Sequence, residues 1–254
     1  MTRRWVDRMP GRDLTIDWVK GLAALGCGMA DGPWRHGFLA VLGPRERMLL
    51  DGIATERTVL RGRTVFDQAR SASTLAVILE GRVKVTFTTP GGDERLLALR
   101  GPGELLGEIS ALVERPRTAT VTALDNVRLA VLPADAFLDL CRTEPSFGHA
   151  VIRTLAERLS ETDQYRVDAA SEANVRLARV LVRLARQYGE PGPGTEVYID
   201  LALTQEDLAS LVSASRGAVA RALRELRDDD LVRTARRRLV VSDVDELERR
   251  FADL

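Results

Sequence analysis

The middle of the chain alternates between apolar and polar positions. The run Arg82–Phe87 places an apolar residue at every second position, which is the period-two pattern of a half-buried strand. Similar short runs lie between Leu60 and Leu132, and glycine turns such as Glu80-Gly81 separate them. The pattern predicts a small antiparallel barrel or roll.

Beyond Pro133 the apolar period becomes helical. Apolar positions recur every three or four residues from Phe147 to Thr162, which predicts a long helix reaching about Val167. A second helix is predicted over Ser171–Tyr188, and glycines and prolines at 189–194 end it. A helix that joins a β domain to a C-terminal domain suits a dimer seam.

The remaining segment, from Thr204 onwards, predicts a helix, a tight turn, a helix, a hairpin and a last helix. Thr204 is placed to cap the first of these helices, with Asp207 three residues on. Ser215 is placed to cap the next, which is predicted to run from Arg216 to Arg227. Together these elements predict the α+β fold class.

Composition restricts the function classes. Lys plus Arg and Asp plus Glu both total 37, so only a local basic patch can attract DNA. Two cysteines and two histidines are too few for a structural zinc site or a four-thiolate cluster, and no catalytic triad is visible. We therefore predict neither a metal cofactor nor an enzyme. The sequence contains no apolar run of about 18 residues, so no membrane span is predicted. Lone cysteines suit a reducing cytoplasm.

The stretch Gln205–Arg224 has the layout of a helix-turn-helix. Its second helix carries several arginines, and an arginine in the major groove can donate two hydrogen bonds to guanine. Arg216 and Arg221 are the candidates for reading bases, and the three arginines 236–238 of the hairpin suit phosphate contacts. The alternative is a solvated helical bundle with an incidental basic face.

The stretch Gly103–Val121 carries the second motif. Its glycines allow a tight turn, and a short helix beginning near Gly107 would direct free amides at an anion. Arg117 can pair with a phosphate through two hydrogen bonds, and Glu108 can accept one from a ribose hydroxyl. The alternative is a structural ion pair between Arg117 and Glu108.

These motifs resemble the family of the bacterial cyclic-AMP receptor protein and the related oxygen regulator, the CRP/FNR family, over roughly Leu49–Val241. The stretch Gly103–Val121, which contains Gly-Glu-x-x-Gly-Glu-x-Ser-x-Leu followed by Pro-Arg-Thr-Ala-Thr-Val, resembles the family's phosphate-binding cassette. The stretch Ser215–Arg221 resembles the family's recognition helix. The resemblance implies four segments: an extension of unassigned role (1–45), a cyclic-nucleotide-binding β-roll (46–140), a dimerisation helix with a linker helix (141–190), and a winged helix-turn-helix (191–254).

The resemblance also implies the site residues. The expected ligand-binding residues are Gly107, Glu108, Ile109, Ser110, Arg117, Thr118 and Thr162, with Asp163 as an alternative to Thr162. The expected DNA-binding residues are Thr204, Ser215, Arg216, Gly217, Arg221, Arg224, Arg236, Arg237 and Arg238. Gly217 stands where the family usually has glutamate, which puts the usual operator sequence in doubt.

The resemblance implies cyclic AMP or cyclic GMP as the effector. Cyclic GMP is included because the threonine after the cassette arginine is similar to cyclic-GMP-preferring sites. The implied partners are a pseudo-palindromic DNA duplex, a second copy of the chain and RNA polymerase, in the cytoplasm. A haem sensor using His36, His149 or a cysteine remains open, whereas two cysteines exclude the oxygen-sensing branch. The rivals are a regulator whose cassette is unused or filled by another ligand, and a purely structural interaction protein.

Overall fold

The structure, a computed structural model, describes residues 37–168, 171–235 and 238–251. The predicted extension lies outside it up to residue 36, as do Arg236 and Arg237 of the predicted hairpin turn. The described helices are α1 (Phe38–Val41), α2 (Pro44–Ile53), α3 (Glu108–Leu112), α4 (Ala134–Thr143), α5 (Pro145–Asp168), α6 (Ala173–Tyr188), α7 (Gln205–Val212), α8 (Arg216–Asp228) and α9 (Val244–Phe251).

Twelve strands are found among these residues. They are β1 (Thr55–Val59), β2 (Thr64–Phe66), β3 (Thr74–Glu80), β4 (Val83–Thr88), β5 (Glu94–Arg100), β6 (Leu105–Leu106), β7 (Thr120–Ala123), β8 (Val127–Pro133), β9 (Glu190–Pro191), β10 (Val197–Ile199), β11 (Val232–Ala235) and β12 (Arg238–Val241). The predicted α+β class is confirmed.

The first eight strands form the predicted roll from two four-stranded antiparallel sheets. Their orders are β1-β8-β3-β6 and β2-β7-β4-β5, so strands far apart in sequence pair with each other. Apolar side chains from both sheets, among them Val65, Ile78, Val121 and Leu129, form one buried cluster. The alternation in the sequence is therefore the inward and outward alternation of two packed sheets.

The turn between β3 and β4 depends on Gly81. Its φ is 80°, in the left-handed region, and a Cβ atom there would lie 2.6 Å from the Asn126 carbonyl oxygen. Only glycine avoids both the conformational and the steric penalty. The Glu80-Gly81 turn signal in the sequence is thus confirmed.

The helices that follow the roll agree with the apolar period to within two residues. The long helix α5 ends at Asp168, and α6 begins at Ala173 rather than at the predicted Ser171. Glu172, in extended conformation, is the N-cap of α6. The difference is local, because the apolar face of α6 that the period identified is buried.

The segment before the roll contains helices that the sequence pattern did not indicate. Helix α1 brings Phe38 against Phe147 of α5, with ring centroids 5.6 Å apart, and Phe137 of α4 completes the group at 5.4 Å from Phe147. All three rings are fully buried. A four-residue helix is too short for a detectable period, which explains why it was missed.

The aromatic group predicts a large loss of stability when one ring is removed. We expect Phe137→Ala to lower the free energy of unfolding by about 3–5 kcal/mol, because it leaves a cavity between three helices. Leu60→Ala, at a side chain 61% exposed, should change it by no more than about 0.5 kcal/mol. Urea unfolding of both variants tests this, and equal effects would contradict it.

Candidate functional site

One cavity on the roll brings the two halves of the predicted ligand site together. It has a volume of about 250 Å³ and lies between the second sheet, helix α3 and helix α5. All seven residues expected from the cassette and the long helix line it: Gly107, Glu108, Ile109, Ser110, Arg117, Thr118 and Thr162. Among the residues that the sequence did not indicate are Phe66, Val85, Leu97, Ala98, Arg100 and Arg158.

Arg117 is the most deeply buried cation of this cavity, at 5% exposed. Its guanidinium donates to the carbonyl oxygens of Gly107, at 3.2 Å, and of Thr74. The ring of Phe66 lies under its Cζ atom, with the ring centroid 3.9 Å away, in a cation–π contact. No carboxylate within the described part of the chain forms an ion pair with it.

Burial disfavours the charged form of Arg117. Desolvation lowers the pKa of Arg117 from its ordinary value, and the charge of Glu108 opposes that effect. Arginine remains protonated nonetheless, so the protein holds a desolvated positive charge whose partners are dipoles and a ring. Such a charge is costly to bury unless an anion completes its surroundings.

The backbone around Arg117 is held by the segment that follows Phe66. The Ala69 N–H donates to the Arg117 carbonyl and the Arg117 N–H donates to the Arg70 carbonyl, both at 2.8 Å. Gly107 has φ 82°, and a Cβ atom there would overlap the Arg117 guanidinium. Arg117 is thereby fixed in both its main chain and its side chain.

Glu108 is even more buried than Arg117, at 2% exposed, but the two do not form the structural ion pair considered above. Instead, its carboxylate accepts a hydrogen bond from Arg158 of the long helix α5. Arg158 also donates to the Leu105 carbonyl, at 2.5 Å. Arg158 could have been identified from the sequence by its position four residues before Thr162, which places both on the same face of the helix.

A second charged group lies beside the cavity. Arg100, at the end of β5, pairs with Glu104 at 3.3 Å and with Glu161 of the long helix at 3.4 Å. Burial raises the pKa of Glu104, although Arg100 and a hydrogen bond from the Gly101 amide favour its charged form. The long helix is therefore tied to the roll on both sides of the cavity.

The predicted helix-turn-helix is formed by α7 and α8. Thr204 caps α7 in a capping box with Asp207, and the Ser215 hydroxyl accepts from the Ala218 N–H at the start of α8, so both predicted caps are confirmed. Ser213 occupies the turn with φ 51°, a left-handed conformation for a non-glycine residue. Val212 and Val219 are buried where the helices meet.

The face of α8 turned to solvent is basic. Arg216, Gly217, Arg221 and Arg224 are all exposed, and Leu223 and Leu226 bury the opposite face. The hairpin β11-β12 follows α8, and Arg238 at its turn pairs with Asp200 at 3.0 Å. The sequence did not indicate that this arginine has a carboxylate partner.

Comparison with known proteins agrees with both halves of this arrangement. The family model of the cyclic nucleotide-binding domain matches residues 56–144, and that of the Crp-like helix-turn-helix domain matches residues 175–250. These two domains in one chain define a DNA-binding transcription regulator with a cyclic nucleotide-binding fold.

Relatives that align over most of the chain identify the family within this class. The chain is 33% identical to the CRP-like cAMP-activated global transcriptional regulator of Mycobacterium tuberculosis, over 75% of this chain and 85% of that protein. It is 35% identical to the cyclic AMP receptor protein of Thermus thermophilus, over 81% and 90% respectively. A solved CRP-family transcriptional regulator from Thermus thermophilus has a TM-score of 0.65 and 26% identity, covering 77% of this chain and 96% of that one. The chain belongs to the CRP/FNR family of transcription regulators.

Within the described ranges, no group of three His, Cys, Asp or Glu side chains is arranged to hold a metal ion. In the same ranges, no helix has the length and apolar character needed to cross a membrane.

The Glu108–Arg158 pair gives a stability prediction. We expect Arg158→Met to lower the free energy of unfolding by about 3–5 kcal/mol, because it leaves a buried carboxylate without its cation. Arg153→Met, which removes a solvent-exposed pair with Glu157 on the same helix, should cost no more than about 1 kcal/mol.

Chemical denaturation of these variants and of the double variant Glu108→Gln/Arg158→Met tests the cause. The double variant should recover part of the loss, because it buries no unpaired charge. A double variant as unstable as Arg158→Met would contradict the assignment.

Proposed function

We propose that this protein is a homodimeric transcription regulator whose binding to a pseudo-palindromic DNA site is controlled by a cyclic nucleotide. The observation that carries the ligand half is Arg117, a buried cation that faces a cavity and has no carboxylate partner among the described residues. A cyclic phosphate supplies the missing negative charge and matches the fork of the guanidinium.

The remaining cavity residues fit the rest of a nucleotide. Glu108 has a carboxylate that can accept a hydrogen bond from a ribose hydroxyl while Arg158 neutralises its charge. Apolar side chains such as Val85 and Leu97 offer a surface for the base, and Thr118 and Thr162 add hydroxyl groups beside it. Relatives named as cAMP-activated favour cyclic AMP, whereas Thr118 favours cyclic GMP.

The dimer half of the proposal rests on the long helix. Ile152 and Leu159 are 66% and 62% exposed, and they lie about two turns apart on the face that does not pack on the roll. Exposed apolar side chains along one helix suit a second copy of the same helix. The dimer would then present two α8 helices about 34 Å apart, one turn of DNA.

The DNA half rests on the basic face of α8. In the proposed complex, Arg216 and Arg221 donate to guanine edges, whereas Arg224 and the hairpin arginines contact phosphates. Asp200 must then release Arg238 or share it with a phosphate. The proposed place of action is the cytoplasm, with RNA polymerase as a partner and no catalytic step.

A second candidate keeps DNA binding and leaves the cavity unused or filled by another anion. The engagement of Arg117 by two carbonyl groups and a ring favours it, because these contacts partly satisfy the cation without a ligand.

The ligand half predicts the result of a calorimetric titration with cyclic AMP and cyclic GMP. We expect the wild-type protein to bind one of them saturably. Arg117→Gln should lose about 2–5 kcal/mol of binding free energy, roughly thirtyfold or more in affinity, because it removes a buried partner of the phosphate. Arg115→Gln, an exposed arginine two residues away, is the matched control and should bind normally. Failure of the wild-type protein to bind either nucleotide would support the second candidate.

The DNA half predicts a change in base preference. A duplex selected from a random pool is titrated with wild-type protein and with Arg221→Ala by fluorescence anisotropy. We expect the variant to lose about 1–3 kcal/mol and to relax preference at one base pair. Arg249→Ala, on the C-terminal helix α9, should leave binding unchanged. Equal binding of all duplexes by the wild-type protein would contradict sequence-specific recognition.

A further inference from the structure

The hairpin β11-β12 has acidic residues beside its arginines. Arg238, the first residue of β12, donates to Asp200 Oδ2 at 3.0 Å. Arg233 of β11 pairs with Glu196. Glu196 and Asp200 flank strand β10, which pairs with β12 in the same sheet. Both arginines that the structure describes in this hairpin therefore have a carboxylate partner at an end of the neighbouring strand.

The register of the sheet places these groups on one face. Ile199 pairs with Leu239, so the next residue, Asp200, comes opposite Arg238. Ile199 packs into the buried cluster that includes α7 and α8, and successive side chains of a strand face opposite sides of the sheet. Asp200 and Arg238 therefore lie on the face turned away from that cluster. Glu196, four residues before Asp200, falls on the same face.

The hairpin also lies beside the helix that is proposed to enter the major groove. The Arg227 guanidinium, at the end of α8, donates to the Thr234 hydroxyl of β11 at 3.4 Å. The side chains of Arg233 and Arg238 are 58% and 47% exposed, so a phosphate can approach them. A duplex bound to the basic face of α8 would bring its backbone towards this hairpin.

Asp200 has a second cation close by. Arg82 of the roll donates to both carboxylate oxygens of Asp125, at 2.6 and 3.1 Å. Burial opposes the charge of Arg82, but the hydrogen bond to Asp125 and the charges of Asp125 and Asp200 outweigh it and raise the pKa of Arg82. Asp200 therefore keeps a neighbouring positive charge when Arg238 leaves it, which lowers the cost of that exchange.

Carboxylates and phosphates compete for the same groups of an arginine. Both are oxyanions that accept hydrogen bonds from the guanidinium fork. An exposed ion pair contributes little stability and is readily broken, whereas a phosphate contact also releases counterions from the duplex. The balance between the two anions decides how much each hairpin arginine adds to DNA affinity, and Glu196 and Asp200 set one side of that balance.

We propose that Glu196 and Asp200 occupy the phosphate-binding groups of the hairpin and thereby lower the affinity of this protein for DNA of any sequence. This rests on the proposed function, in which the hairpin contacts phosphates. Phosphate contacts carry no sequence information, so the two acids weaken binding to a specific site and to unrelated DNA by the same factor. Sequence preference remains with the base-contacting side chains of α8.

The test measures the DNA affinity of the full-length variants Glu196→Gln and Asp200→Asn by fluorescence anisotropy, at salt concentrations from about 50 to 200 mM. The duplexes are a selected site and an unrelated sequence. We expect each variant to bind both duplexes about two- to fivefold more tightly, and the slope of log K against log salt to steepen by up to about 0.9. The control is Glu248→Gln, which removes a similarly exposed carboxylate paired with Arg186 of α6 and should change neither quantity. Wild-type affinity and slope in both variants would overturn the proposal.

A second measurement separates competition for the arginine from repulsion of DNA by a negative charge. In an Arg238→Gln background, Asp200→Asn should no longer raise the affinity, because the arginine that it frees is gone. Glu196→Gln should still raise the affinity in that background, since its partner Arg233 remains. If Asp200→Asn has the same effect with and without Arg238, the carboxylate acts on DNA directly and the proposal is overturned.

Failure of the DNA half of the proposed function gives a different result. The wild-type protein then binds neither duplex even at about 50 mM salt, and that outcome overturns both proposals. Binding by the wild-type protein that is unchanged in both variants overturns only the role of Glu196 and Asp200. Cyclic nucleotide is added at saturation if the wild-type protein binds one, and the comparison is made without it otherwise.

Discussion

The organisation of the β-roll depends on one constraint, the burial of the Arg117 charge. A guanidinium that is almost fully buried must be satisfied from several directions, and here two carbonyl groups and an aromatic ring provide part of this. Gly107 has to be glycine to leave room for it, and the Phe66–Arg70 segment is folded back to hold its main chain. The cavity is the space that remains on its open side.

The sequence predicted those parts of the fold that leave a local pattern, either a repeating spacing of apolar residues or a helix-capping residue. The roll followed from alternation along strands such as β4, and the two helix-turn-helix helices followed from Thr204 and Ser215. The short helix α1 was not predictable, because four residues carry no period. The pairing of β1 with β8 could not be predicted either, because register between distant strands is fixed by tertiary packing.

The candidate site was predictable only where its residues lie in a contiguous motif. Gly107, Glu108 and Arg117 lie close together along the chain and were identified together. Phe66 and Arg158 come from distant parts of the chain, and neither residue type is informative by itself. Their roles became visible only when the fold brought them against Arg117 and Glu108.

The pair between Glu108 and Arg158 affects how the roll can be joined to other domains. The carboxylate that faces the cavity belongs to the roll, but the cation that pairs with it belongs to the following helix. This pair therefore crosses the boundary between the roll and the helix that follows it. In a chimaera, or in evolution by domain shuffling, a roll joined to a foreign helix would keep its glycines and its arginine and lose the partner of its glutamate. A unit of transfer that keeps this pair ends beyond Arg158, inside the long helix, and not at the last strand.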